Sequence, residues 1–136
     1  MKERIKDKIK QIEEFLAVLL EIKPSTFEDY TNNIKTKAAC ERYAQKIIEA
    51  SIDLAYLIIK KKNLIMPEDD EQIFDILVNS KIISQELGNF LVHQYGEVDD
   101  SIIFHAISEE LEKDVKEFLN KIKIILKERE DENKKS

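Results

Sequence analysis

Ile5, Ile9, Ile12, Leu16, Leu19 and Leu20 follow one another at steps of three and four. That spacing draws a single apolar stripe along a helix over about 2–22. Lys23-Pro24-Ser25 ends it, and Ser25 and Glu28, three apart, read as a capping box that opens a second helix. Asn32-Asn33 loosens its first turns. The longest periodic stretch, 35–62, turns Ala38, Ala44, Ile47, Ile48, Leu54, Ala55 and Ile58 inward, and Ile52, Leu57 and Ile59 widen that face. A face this wide belongs to a central helix, or to one that packs on a partner as well. Beyond the loop from Asn63 to Pro67, a short helix over 68–79 carries Glu68-Asp69-Asp70-Glu71 at its positive end. Its Ile73, Phe74, Leu77 and Val78 point to the core. A helix over 82–95, a turn over 96–101 and a last helix from about 102 to 129 complete the pattern. Ile103, Ile107, Leu111, Phe118, Ile122 and Ile125 mark the last inner face, and the polar end of the chain, about 130–136, is expected to fray.

With only two Gly and two Pro, the chain lacks the turn residues an all-β protein requires. No repeat or linker divides the 136 residues, so one domain over 1–136 is expected. The fold predicted is an all-α antiparallel bundle of about five helices, up and down around a four-helix core. The net charge of −6, with Lys60-Lys61-Lys62 as the sole basic block, excludes a broad grip on long nucleic acid and leaves room for a local one. The N-terminal MKERIKDKIK has no signal-peptide core, no apolar run is long enough to cross a bilayer, and one cysteine, Cys40, suits a reducing compartment. A cytoplasmic protein without membrane contact is expected.

His93 and His105, twelve apart with no Cys-x-x-Cys or His-Glu-x-x-His, give no metal-ligand spacing, and no cofactor motif is present. His105 reads as a surface residue, and Cys40 as a small, half-buried thiol. Glu49 and Asp53 share a face of the central helix. Two readings stay open for them: a boundary pair matched by lysines of another helix, or a carboxylate that orients a histidine. His93 stands in NFLVHQY, with Gly96 three residues on. In the last turn of a helix, the dipole favours the imidazolium, which suits a side chain that must both take and give a proton. A purely structural histidine fits the same position.

From KAACERYAQKIIEASIDLAYLII through NFLVHQYGEVDD the chain resembles the HepT-like branch of the HEPN family. That branch carries Arg-x-x-x-x-His-x-Tyr, followed by a short turn ending in Val-Asp or Ile-Asp. Here Asn89, Leu91-Val92-His93, Tyr95 and Val98-Asp99 match. The resemblance implies a homodimer of helical bundles whose shared cleft holds one histidine from each subunit. It also implies a metal-independent endoribonuclease toxin acting on transfer RNA or messenger RNA. Such a toxin is neutralised by an MntA-like nucleotidyltransferase antitoxin that attaches AMP to the motif tyrosine. His93 would then be the general acid/base, Tyr95 the modified residue and Asn89 a polar group of the cleft.

One position departs from the pattern. Gly88 stands five before His93, where the family has arginine, and the segment 64–95 contains no arginine at all. The pentacoordinate phosphorane of metal-free cleavage needs positive charge, and losing such a donor costs on the order of 3 kcal/mol. Arg42, Lys81 or a residue of the other subunit could supply it. Three functional readings follow: a weakened ribonuclease, a catalytically inactive domain that binds a nucleotidyltransferase or a nucleotide, and a helical scaffold.

Overall fold

The computed structural model describes residues 2–85 and 100–135, with side chains as far as 127. All regular structure among them is helical: α1 (Lys2–Ile22), α2 (Phe27–Asn32), α3 (Ile34–Lys61), α4 (Asp70–Asn79), α5 (Asp100–His105) and α6 (Leu111–Lys135). A π-helical turn, Ala106–Glu110, joins the last two. Side-chain pairs between the helices fix their directions. Lys8 meets Asp53 while Phe15 meets Tyr43, so α1 and α3 run antiparallel. Lys23 reaches Ser108 while Glu13 pairs with Lys123, so α6 is antiparallel to α1 as well. This is the up-and-down arrangement expected of the sequence.

Helix α3 is the axis of the core. Over 47–59 all residues are buried except Glu49, Asp53, Tyr56 and Leu57. Ser51, wholly buried, donates its hydroxyl to the carbonyl of Ile47 at 2.7 Å, so its burial leaves no bond unmade. Ile5, Ile12 and Leu19 of α1, Ile73, Phe74 and Leu77 of α4, and Phe118 and Ile122 of α6 close around it. Ala38 is exposed, against the expected inner face. It lies six residues before Ala44, well off the stripe that a 3.6-residue turn makes of Cys40, Ala44, Ile47, Ser51 and Leu54. Cys40 takes the inward position instead and is wholly buried rather than half-buried.

Phe118 is fully enclosed in this core. Phe118→Ala should therefore cost about 3–5 kcal/mol, the range for large cavities of this kind, read as the drop in urea-unfolding free energy.

Helix ends follow local chemistry more closely than the sequence pattern alone. The cap of α2 is Thr26, one residue after Ser25: extended at φ −129°, it accepts from the Asp29 amide at 3.1 Å. Asn33 ends α2 and caps α3 at once, taking the Thr36 amide at 3.1 Å, so the Asn pair separates two helices instead of loosening one. Asp69 does the same for α4. The C-termini of α3 and α4 use one turn twice, with the amide of Leu64 on Ile59 and that of Ile82 on Leu77. This turn requires a left-handed residue, filled by Asn63 at φ 56° and Lys81 at φ 62°. Asparagine is at home there, whereas lysine gives up roughly 1 kcal/mol.

The π turn has a cause in the sequence. Ile103, Ile107, Leu111 and Val115 are spaced by four three times over, 12 residues in all, where three α-turns need about 10.8. An i→i+5 turn absorbs the surplus and keeps Ile107, Leu111 and Val115 buried on one side. Lys23 donates to the Ser108 carbonyl at 3.3 Å, and the buried Ser108 hydroxyl has no partner among the described residues. Helix α6 then continues to Lys135 rather than ending near Arg129, through a stretch without Gly or Pro.

Candidate functional site

Of the residues singled out in the sequence, Gly88, Asn89, His93 and Tyr95 lie outside the described residues. Of the helix expected over 82–95 only 82–85 are described, and 82–84 are not helical there; of the turn expected over 96–101, Asp100 and Ser101 open α5 instead. Arg42, Glu49 and Asp53 lie on α3, and Lys81 follows the end of α4. Steps of seven and four put the first three on one stripe of the helix. Arg42 is exposed to solvent and donates to Gln45 at 3.2 Å. Lys46, between Arg42 and Glu49, sits over the rings of Phe15 and Tyr43 at 5.4 and 5.2 Å from their centroids. Glu49 is half-buried, set between Ile48 and Ala50. Asp53 is exposed and faces Lys8 of α1 at 3.4 Å, a pair too solvated to contribute more than a few tenths of a kcal/mol.

A second polar group was not legible in the pattern. Tyr30 of α2 is completely buried, and its hydroxyl donates to Glu41 Oε1 at 3.0 Å. The same carboxylate oxygen receives Lys37 Nζ at 3.0 Å, and Lys37 reaches Asp100 Oδ1 at 3.1 Å. Asp100 opens α5, directly after the Val98-Asp99 of the sequence motif. Burial, with Glu41 beside it, pushes the Tyr30 hydroxyl above the ordinary phenol range, so it stays a donor. Glu41 and Asp100 push the Lys37 ammonium up and keep it charged. Burial raises the Cys40 thiol too, which argues against a thiolate nucleophile at this point. The rings of Phe27, Tyr30 and Phe104 meet at 5.2–6.4 Å and lock α5 onto α2. Together these interactions fix where the chain emerges from the motif segment. The hint in the sequence was Tyr30 itself, a large ring four residues past a helix cap in a very polar run.

His105 is exposed and pairs with Glu109 at 3.5 Å and Glu110 at 3.2 Å. Among the described residues no group of three or more His, Cys, Asp and Glu side chains could hold a metal ion. No helix among them is long and apolar enough to cross a membrane. On α6, burial first, then Glu117 and Glu110, push the Asp114 carboxyl up. A carboxyl raised in the fold takes stability away above its folded pKa and nothing below its unfolded value. Asp114→Asn should thus stabilise by at most about 0.5 kcal/mol at pH 7. The gain should vanish as pH falls through the ordinary carboxylate range, which thermal melts across pH would record.

Residues 5–122 match the family described as ribonuclease HepT-like. The chain belongs to that family. The HepT-like match runs through the whole motif segment, Gly88 to Tyr95 included. The chain is 30% identical over 89 residues to the mRNA nuclease HepT of Shewanella oneidensis. That alignment spans 58% of this chain and 66% of the relative, just under two thirds of its length. Among solved structures, the fold is similar to the tri-AMPylated HEPN toxin of Shewanella oneidensis, solved in complex with an MNT antitoxin. The TM-score is 0.80 at 24% identity, covering 91% of this chain and 99% of that one. It is also similar to the cytosolic protein YutE from Bacillus subtilis, with a TM-score of 0.74 at 20% identity over 94% and 92% of the two chains. The HEPN-like all-α bundle read from the sequence is therefore the fold of this HepT-like chain.

Proposed function

We propose that this HepT-like chain, as a single domain, is a metal-independent endoribonuclease toxin. In this reading it works in the cytoplasm as a homodimer and is restrained by an MntA-like nucleotidyltransferase antitoxin. The observation that supports this best is the family match over residues 5–122, a span that contains Asn89, His93 and Tyr95. The similarity to an mRNA nuclease favours RNA as substrate, and the likeness to a HEPN toxin solved with its antitoxin favours the pairing.

In this mechanism the neutral imidazole of His93 takes the proton of a 2′-hydroxyl, whose oxygen attacks the adjacent phosphorus. The imidazolium of the other subunit's His93 gives a proton to the departing 5′-oxygen. The products are a 2′,3′-cyclic phosphate and a 5′-hydroxyl, and no metal or cofactor takes part. Asn89 lines the cleft, and Tyr95 accepts AMP from the partner. Glu49 is suited to orient the imidazole, since its neighbours on α3 are buried. Gly88 leaves the transition state short of one cation, which Arg42, Lys81 or a residue of the other subunit replaces only in part.

Gly88 also favours a second reading, in which the domain binds its nucleotidyltransferase partner or a nucleotide without cutting RNA. Incubating the wild-type chain with RNA in EDTA separates the two. Cleavage is expected; dimeric protein that leaves the RNA whole would establish the binding reading instead.

A further inference from the structure

Where α3 and α4 both end, Lys62, Lys81 and Lys121 line one cavity of about 320 Å³. Ser80 stands beside them, and Ile124 and Ile125 supply its apolar wall. Among the described residues no carboxylate lines this cavity, in a chain with 28 acidic residues against 22 lysines and arginines. None of the three lysines has an ion-pair partner among the described residues, whereas Lys8, Lys37, Lys116 and Lys123 each face a carboxylate.

The helix dipoles explain only part of this gathering of three lysines around one hollow. Lys62 and Lys81 follow the negative ends of α3 and α4, where cations are favoured. Lys121 lies ten residues inside α6, far from either end, so the dipoles do not account for it. Nor do they explain Lys81 at φ 62°, a position that glycine would occupy at lower cost. Lys81 is, besides, the one lysine or arginine between Leu64 and Tyr95. What satisfies all three is a shared anion with several acceptor oxygens, to which lysines and a serine hydroxyl donate. Ile124, exposed by 56%, adds apolar surface of the kind a ribose or base covers.

We propose that the Lys62–Lys81–Lys121 pocket is a phosphate subsite that holds the backbone of single-stranded RNA. The identity of the ligand as substrate rests on the nuclease reading, and the pocket gives an acidic protein the local hold on RNA that its net charge denies it elsewhere.

The test is binding of a labelled single-stranded oligonucleotide in 2′-deoxy form, which cannot be cleaved through a 2′-hydroxyl, to the full chain in EDTA. The triple variant Lys62→Gln, Lys81→Gly, Lys121→Gln should bind about 10- to 100-fold more weakly near 0.1 M salt. Its log–log salt slope should be shallower by about 0.7, the contribution of the one phosphate no longer neutralised. Lys116→Gln with Lys123→Gln, which removes as much charge as two of these changes, should leave binding unchanged. Lys81→Gly alone should bind more weakly while melting no lower than wild type, which separates weakened RNA binding from an impaired fold. Wild-type affinity in the triple variant, or no binding by the wild type, would overturn the proposal. Cleavage of the matching RNA by the same preparations keeps the two ideas apart. A wild type that binds without cutting keeps the pocket and removes the nuclease. One that cuts, with KM unmoved by the triple change, does the reverse.

Discussion

His93→Ala is expected to slow metal-free RNA cleavage by about 10²- to 10⁴-fold, the usual contribution of a positioned acid or base. In the proposed mechanism the same histidine serves on both sides of the reaction, once in each subunit, so the substitution would remove base and acid together. Stability should hardly move. The expectation from sequence puts His93 in the last turn of a helix, three residues before Gly96. A residue there contributes no more than about 1–2 kcal/mol through the helix dipole. Thermal melts beside the cleavage assay would show the separation. A large loss of stability with little loss of rate would assign His93 to structure instead.

Gly88→Arg carries the second large effect, in the opposite direction. If proton transfer is intact and charge stabilisation is the deficient half, restoring the family arginine should raise the rate by about 10²- to 10³-fold. That gain corresponds to a donor aimed at the charge that builds on phosphorus in the transition state. It should appear in kcat more than in KM, because the phosphorane differs from the ground-state phosphate in the charge it carries. An unchanged rate in Gly88→Arg, with active wild type, would mean that Arg42, Lys81 or a residue of the second subunit already fills the role. Combining Gly88→Arg with Arg42→Gln or Lys81→Gly would then identify which, since the arginine should rescue only the variant whose cation it replaces.

The helical periodicity made the bundle legible because α1, α3, α4 and α6 each bury one continuous stripe. The width of α3's apolar face announced its central place in advance of the structure. What periodicity could not give was side-chain chemistry at the joints. Ser25 and Thr26 are equally good caps by composition, and only the extended backbone at Thr26 decides between them. Ala38 and Cys40 are both small, and a two-residue shift around the helix exchanges inside for outside. The π turn was legible in principle, as three successive steps of four, but each such step taken singly also fits an ordinary helix. Among the site residues, the motif around His93 was found by its resemblance to the HepT-like family and not by its spacing. Tyr30, Lys37, Glu41 and Asp100 went unnoticed because they come from three helices and are joined only by folding. The lysine pocket was hidden for the same reason: Lys62, Lys81 and Lys121 are separated by 19 and 40 residues.

The measurement that bears most directly on the central claim is the chemistry of the RNA ends made in EDTA. Wild-type protein should leave 2′,3′-cyclic phosphate and 5′-hydroxyl ends on RNA, detected by mass spectrometry, and should leave the same sequence intact when every sugar is 2′-deoxy. His93→Ala should yield neither product at a comparable rate. Ends bearing a 5′-phosphate, cutting of the deoxy strand, or cleavage undiminished in His93→Ala would contradict a metal-free reaction driven by His93.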